Sequence, residues 1–496
     1  MDELSVDELR TLADSFGVGL PDAQVEAVHE QVNDFLRPLE AVDKLPVERA
    51  DAGGDRTWRE PVDDPHDAVA HRCDVPPAGA DGRLAGLDVG LKDNIAVAGV
   101  PMECGSEVMR GFVPRTDAAV TRRLREAGAR ITAKLACDEF AGSARGTTGV
   151  GGPIRNPHDP ERTAGGSSGG SAVAVATGDV DAALGTDTGG SVRMPAAFCG
   201  VVGVKPTHGL VPLSGVVENT YTQDHVGPLA DSVGACARVL DAVAGTDPDD
   251  PASLVAAGRE GYRVGGYADA VASAPDAGDL TLAFVEESVG DGVADAVAER
   301  TEAALAAVED AGGTVRRVSV DGYGHTSSVK NLLSLSELAA HWRAGGAPYR
   351  RGGVVDDGFQ AALAARTEAG GRELSAYYRS KLLAGAHLLD RGGRRYTRAQ
   401  AAREALAESF ADALGDADAL ALPTMPDVAP PLADADDPGF SYGRNTRPAD
   451  VTRTPAVTVP NGSVGGLPVG FQLMGPAFGE AGLLGAAAAV ESTLAG

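Results

Sequence analysis

Near the start of the chain, apolar residues recur at helical spacing. Leu4, Val6, Leu9, Leu12 and Ala13 fall on one stripe, and Val25, Val28, Val32, Phe35 and Leu36 on a second. Pro21 and Asp22 supply a start for the second helix. The pattern predicts an αα-hairpin over residues 1–49 with two apolar faces, followed by a linker over residues 50–65 rich in Asp, Gly and Pro. From Gly86 the period changes. Leu87 to Leu91 reads as a strand, Ala118 to Ala127 as a helix and Ala129 to Lys134 as a strand. Ser171 to Thr177 suits a buried helix and Val180 to Leu184 a strand, and the alternation returns at Leu280 to Val285, Val293 to Ala311 and Thr314 to Val320. Leu332 to Leu389 is mostly helical and polar, fit to cover a site, and Ala417 to Pro423, Pro455 to Pro460 and Leu467 to Leu473 close the core as strands. Strand and helix alternating in this way predict an α/β domain over residues 66–496.

Composition narrows the classes. A length of 496 residues alone suggests about three domains, and a hydrophobic content of 43% is enough for a full core. Its formal charge of −28 makes a nucleic-acid surface or an anionic membrane a poor partner, so neither is expected. Acidity with only six lysines resembles proteins of salt-rich cells, whose charge keeps the surface hydrated. The five cysteines are odd in number and scattered, which argues against a disulfide framework or a structural zinc, and Cys137 is expected to be buried and inert. The acidic N-terminus does not resemble a signal peptide, and no run of about 18 apolar residues occurs, so a cytoplasmic protein is expected.

The chemistry concentrates between Gly165 and Gly200. In G-G-S-S-G-G-S the glycines permit positive φ and let backbone N–H groups approach a ligand, with Ser167 and Ser168 on the loop. Such a string alone is usually a flexible linker. Here an apolar run, a second Gly-Gly-Ser and another apolar segment follow at once, and no linker does that. A phosphate cradle is unsupported, because no G-x-x-x-x-G-K-[ST] is present. Thr188, Gly189 and Gly190 lead into Ser191 as successive residues with free N–H groups, an arrangement that can hold an oxyanion, so Ser191 is a candidate nucleophile.

This stretch resembles the signature of the amidase signature family of serine amidohydrolases. The resemblance rests on G-G-S-S-G-G-S, then G-T-D-T-G-G-S-V-R, then P-A-A-F-C-G-V-V-G-V-K-P-T, and runs more weakly from about Gly86 to the C-terminus. It implies a single large domain with a mixed sheet covered by helices on both faces, and some members carry a comparable helical extension at the N-terminus. It also implies a Ser-cisSer-Lys triad: Ser191 as nucleophile, Ser167 as the bridging serine after a cis peptide, and Lys92 in G-L-K-D-N as base. Lysine acts as a base only when neutral, so its pKa must fall from about 10.4 toward roughly 7 or 8, which burial does. Arginine could not substitute. Thr188 to Ser191 would supply the oxyanion hole. Asp187 with Arg193 would fix that loop, and Asp93 and Asn94 would orient the segment behind Lys92. No metal or organic cofactor is needed.

The reaction expected is hydrolysis of a carboxylic amide through an acyl-enzyme, by a self-sufficient amidase similar to those that accompany nitrile hydratases. M-E-C-G-S-E-V-M-R-G-F-V-P-R-T-D and T-H-G-L-V-P-L-S-G-V-V-E-N-T-Y-T-Q-D-H-V-G-P carry that preference. Its partners would be a small-molecule amide and, through the hairpin, a second copy of the chain. The alternative is the A subunit of a glutamyl-tRNA(Gln) amidotransferase, which hydrolyses glutamine and passes ammonia to a charged tRNA. Asp224 and His225 invite a Ser-His-Asp reading, but a histidine beside glycine and proline is more often a loop or packing residue. An inactive scaffold is disfavoured because every triad member is present.

Overall fold

In the computed structural model, residues 3–44, 55–79, 81–347, 357–368 and 372–495 are described. The chain divides into two compact units, Met1–Asp51 and Ala52–Gly496.

In the first unit Ser5 starts the helix Val6–Phe16 through a capping box: its Oγ accepts from the Glu8 N–H at 3.3 Å, and Glu8 Oε2 accepts from the Ser5 N–H at 2.8 Å. Gly17, at φ 66°, ends it. A 3-10 turn at Asp22–Gln24 leads into the helix Val25–Leu36, three residues later than Pro21 and Asp22 suggest. Asn33 clasps the chain before the first helix, accepting from the Leu4 N–H at 2.8 Å and donating to the Leu4 carbonyl at 3.1 Å. Leu9 and Val25 are buried, while Leu12 and Phe35 of the predicted stripes are exposed.

The second unit is built on one mixed sheet. Its strands are β1 (Thr57–Arg59), β2 (Val69–Val75), β3 (Asp88–Lys92) and β4 (Arg130–Leu135). After a separate ribbon of β5 (Arg155–Asn156) and β6 (Asp159–Thr163) come β7 (Ala182–Asp187), β8 (Val202–Lys205) and β9 (His225–Ala230). The remaining strands are β10 (Thr281–Val285), β11 (Thr314–Val318), β12 (Ala419–Pro423), β13 (Ala456–Val464) and β14 (Leu467–Met474). Among the described residues the twelve strands run β1-β2-β4-β3-β7-β9-β8-β13-β14-β12-β10-β11. β3 is parallel to β4 and β7, and β10 to β11 and β12, while the other neighbours are antiparallel.

Both faces of the sheet are covered, and the period of two shows it. Ala182 and Leu184 of β7 join a core with Val89 and Leu91, while Ala183 between them joins another with Leu135, Ala172 and Leu229. β10 and β12 divide likewise: Leu282, Phe284, Ala419 and Ala421 face one core, Ala283, Val285, Leu420 and Leu422 the other.

Several expectations need correction. Strand β1 lies inside the stretch read as a linker, paired antiparallel to β2, while residues 50–54 of that stretch lie outside the described residues. His225 is on a central strand, β9, which its Gly-Pro pair had disguised as a loop. The span 332–389 holds the end of the helix Thr326–Arg343, then Asp357–Glu368 and Ala376–Asp390, with residues 348–356 and 369–371 outside the description.

The helix Gly169–Ala176 presses its first turn onto the ends of β2 and β4. A Cβ at Gly170 would lie 2.3 Å from the Ala68 carbonyl oxygen and 2.6 Å from that of Ala136. Backbone cannot yield as a flexible side chain can, so this contact fixes where Ser167 and Ser168, just before the helix, must sit. Gly170→Ala is expected to destabilise the chain by about 1–3 kcal/mol or more, measured by urea unfolding.

Candidate active site

Three segments meet at the end of β3. Lys92 closes that strand, the loop Ala164–Ser168 enters the helix Gly169–Ala176, and Thr188–Ser191 follow β7. Lys92 is fully buried, with Nζ 2.7 Å from Ser167 Oγ and 2.7 Å from Thr186 Oγ1. Asn94 Nδ2 donates to the same Thr186 hydroxyl at 3.2 Å. Burial draws the Lys92 amine from 10.5 down to about 8, against the pull of the carboxylates of Asp138, Asp187 and Asp224. Near pH 8 the group is therefore divided between its acid and base forms.

The Gly166–Ser167 peptide is cis. Asp138 braces it from outside: its carboxylate accepts from the N–H groups of Gly146 and Thr148, each at 2.9 Å, and a Cβ at Gly166 would lie 2.0 Å from Asp138 Oδ2. Ser168 stitches the two loops together. Its hydroxyl pairs with the Thr186 backbone, donating to the carbonyl and accepting from the N–H at 3.2 Å, and its own N–H donates to the Ser191 carbonyl at 3.2 Å.

Ser191 is buried, and its hydroxyl has no hydrogen-bond partner among the described residues. The expected Ser191-to-Ser167 hydrogen bond is thus not formed in this structure, although Ser168 ties both segments to one place. Catalytic hydrogen bonds often tighten only when substrate arrives. Of the four amides expected to hold an oxyanion, Gly190 is already engaged, donating to Asp187 Oδ1 at 2.6 Å. Asp187 lies three residues back and folds over the turn, so that N–H supports the loop instead. The amides of Thr188, Gly189 and Ser191 have no acceptor among the described residues. The Thr188 hydroxyl donates to Asp224 Oδ1 at 2.7 Å, which anchors the start of the loop.

Asp187 and Arg193 form a buried pair. Arg193 Nε and Nη2 each lie 3.1 Å from the Asp187 carboxylate, whose Oδ2 also accepts from the Val192 N–H at 3.1 Å. The guanidinium goes on to Asp450 Oδ2, the Thr446 carbonyl and Gln472 Oε1, all at 2.8 Å. Burial opposes ionisation of Asp187, yet Arg193 beside it holds the carboxyl well below the usual range. Burial, with the Asp187 charge nearby, pushes Asp450 up.

Other candidates fall outside this centre. Asp93 pairs with the buried Lys134 at 3.0 Å and accepts from the Glu103 N–H at 3.0 Å, so it braces the chain behind Lys92. His225 Nδ1 lies 3.0 Å from the Asp187 carbonyl and Nε2 3.3 Å from Lys205 Nζ, which leaves neither nitrogen for a serine. Burial pushes the Cys137 thiol up to about 12. Among the described residues no group of three or more His, Cys, Asp or Glu side chains is placed to hold a metal ion. Thr186 and Asp138 escaped the sequence reading, though Thr186 stands inside G-T-D-T-G-G. Asp450, Thr446 and Gln472 lie more than 250 residues further along the chain than Arg193, and no local pattern marks them.

Fold and site together define an enzyme acting on amides. The family profile described as Amidase matches residues 65–484, and the chain belongs to that family. It is similar to the A subunit of the glutamyl-tRNA(Gln) amidotransferase of Halobacterium salinarum, at 41% identity across 83% of this chain and 96% of that one. Its fold is similar to that of the corresponding Thermotoga maritima protein (TM-score 0.69, 30% identity, 85% and 86% of the two chains covered). The peptide amidase of Stenotrophomonas maltophilia is also similar (TM-score 0.70, 34% identity, 83% of each chain).

These likenesses overturn two expectations. The expectation of a self-sufficient amidase is not upheld, because the relative matched at 41% identity over 96% of its length is named as the A subunit of a glutamyl-tRNA(Gln) amidotransferase. The expectation of a small molecule as sole partner, with no nucleic acid, falls with it, since those relatives are named for a tRNA and as one subunit of a larger enzyme. The charge of −28 describes this chain's own surface and not that of an assembly. Among the described residues no helix is long and apolar enough to cross a membrane.

Replacing Arg193 by Met would leave Asp187 and Asp450 buried beside each other without their cation. The expected loss is about 3–5 kcal/mol of stability, read by denaturant unfolding.

Proposed function

We propose that this chain is the glutamine-hydrolysing component of an amidotransferase of the glutamyl-tRNA(Gln) kind, working in the cytoplasm. The observation that carries the reading is 41% identity spanning 96% of the Halobacterium salinarum protein. The helical unit at the N-terminus precedes the family match at residue 65 and is taken as a domain separate from the catalytic one over residues 66–496.

In this reading neutral Lys92 takes the Ser167 proton as Ser167 takes that of Ser191, and Ser191 Oγ bonds to the carboxamide carbon of glutamine. The oxygen of that carbon becomes an oxyanion held by the amides of Thr188, Gly189 and Ser191. Collapse breaks the C–N bond, the proton returns through Ser167 to the leaving nitrogen, and ammonia departs, leaving an ester on Ser191. Water, deprotonated by the same relay, attacks the ester and frees glutamate and the Ser191 hydroxyl. The ammonia then serves amide formation on the glutamyl group of the charged tRNA.

Ammonia release from glutamine, and glutamine-dependent amidation of glutamyl-tRNA once the companion chains are added, test this. Ser191→Ala is expected to lower both by about a thousand-fold or more. Since Lys92 must be neutral to act, and its amine sits at about 8, kcat/KM should rise about tenfold per pH unit below that point and level off above it. Glutamine left intact by the complete assembly, or an active Ser191→Ala chain, would overturn the reading.

The excess of 71 acidic over 43 basic residues fits a salt-rich cell. Raising KCl from about 0.1 to about 1 M shortens the screening length from about 10 to about 3 Å, which relieves self-repulsion. The melting temperature is expected to rise over that range, and a fall would count against a saline habitat.

A further inference from the structure

A cavity of about 390 Å³ is lined by β2 and by the loops around residues 103–110 and 149–154. Neither Lys92, Ser167 and Ser191 nor the loop after β7 reaches it, although its walls include Asp93 and Cys137, next in the chain to Lys92 and Asp138. His71 sets this cavity apart. It is 4% exposed, and neither ring nitrogen has a hydrogen-bond partner among the described residues. The alternation along β2 turns Val69 and His71 to one face, and both line the cavity. Nδ1 faces Glu60 Oε1 at 3.8 Å, too far for a hydrogen bond, and the Trp58 ring packs edge-on against the imidazole with centroids 5.5 Å apart. Buried polar atoms normally have partners, so the two nitrogens mark a place that a ligand completes.

The walls set the charge of that ligand. Five carboxylates line the cavity: Glu60, Asp64, Asp67, Asp93 and Glu103. Asp93 is answered by Lys134 at 3.0 Å and Asp67 by Arg155 at 3.5 Å. Glu60, Asp64 and Glu103 form no ion pair with a lysine or arginine among the described residues; Asp64 and Glu103 accept only from the backbone N–H groups of Val69 and Gly111. Arg110, which also lines the cavity, is held by Glu107, with Nε 2.6 Å from Oε2. The surplus is negative, and Pro61, Val69 and Ile154 add an apolar surface for carbon. A metal ion does not suit it, since among the described residues no three side chains of the metal-binding kinds are placed to hold one.

We propose that this cavity binds an aliphatic primary ammonium ion, with the charge set among Glu60, Asp64 and Glu103, one N–H donated to His71 Nε2, and the carbon chain against Pro61, Val69 and Ile154. His71 then carries its proton on Nδ1, toward Glu60. The site is separate from Ser191 and does not depend on the glutamine reading.

The probe is putrescine, with 1,4-butanediol, the uncharged molecule of the same chain length, as its control. Calorimetry on the full chain is run in about 1 M KCl, where a screening length of about 3 Å suppresses diffuse attraction to an acidic surface. The wild type should bind putrescine saturably, and the diol at least about tenfold more weakly. His71→Phe keeps a ring against Trp58 and removes both nitrogens, and should weaken putrescine at least about tenfold. Glu60→Gln, at an exposed position, should weaken it about threefold or more and keeps the test decisive if His71→Phe fails to fold. No binding by the wild type, equal affinity in wild type and variants, or diol bound as tightly as diamine would each overturn the inference. So would displacement of putrescine by glutamine, which would put the diamine in the reacting centre. Glutamine hydrolysis is read separately on the same preparations, so the failure of either reading leaves the other standing.

Discussion

A guanidinium shut away from water holds this enzyme together. Arg193 is fully buried and spends its donors on Asp187 from β7, Gln472 from β14, and Thr446 and Asp450 from the segment between β12 and β13. A buried charge is tolerable only when its hydrogen bonds are met, and here they are met by Asp187, 6 residues back, and by groups 253 to 279 residues further along. The ends of two strands distant in the sheet are thereby locked to one loop. That loop carries Ser191, two residues before the arginine.

The same pair sets the electrostatics around Lys92. Asp187 stays ionised because Arg193 is beside it, and it spends one oxygen on the Gly190 N–H, which curls the turn so that the amides of Thr188, Gly189 and Ser191 are left without acceptors. Its negative charge also favours the protonated lysine, so burial must overcome an opposing field to bring Lys92 down to about 8. Dryness wins because Lys92 ends a strand whose neighbours on both sides, β4 and β7, are buried where they flank it. The carboxylate nearest in sequence, Asp93, turns away to Lys134. Had it paired with Lys92, the amine would be held in its acid form.

Much of this was legible in the residues because it is local. The strands β3, β4, β7 and β10 follow short β-rich runs bounded by glycine or polar residues, and the glycine-rich loops announce themselves by composition. What escaped notice depends on distant partners. β9 contains Gly227 and Pro228, which speak against a central strand, yet Pro228 faces Leu184 in the ladder with β7 and is buried there. β1 was hidden among Asp, Gly and Pro, since three exposed residues at a sheet edge need no hydrophobic pattern. Asp450 and Thr446 could not be assigned, because only folding brings them to Arg193 and Gly189. Gly190 looked like an oxyanion donor because sequence counts N–H groups and cannot tell which are already taken.

The role of the chain was harder to see than its chemistry, for a related reason. Two serines beside a buried lysine would serve plain amide hydrolysis or an amidotransferase with the same geometry, so the site is silent about what becomes of the nitrogen. The acidic surface is silent too. A formal charge of −28 belongs to this chain alone and carries no information about a surface that another chain would supply. What separates the possible roles must lie where substrate and partners meet the protein beyond the scissile bond.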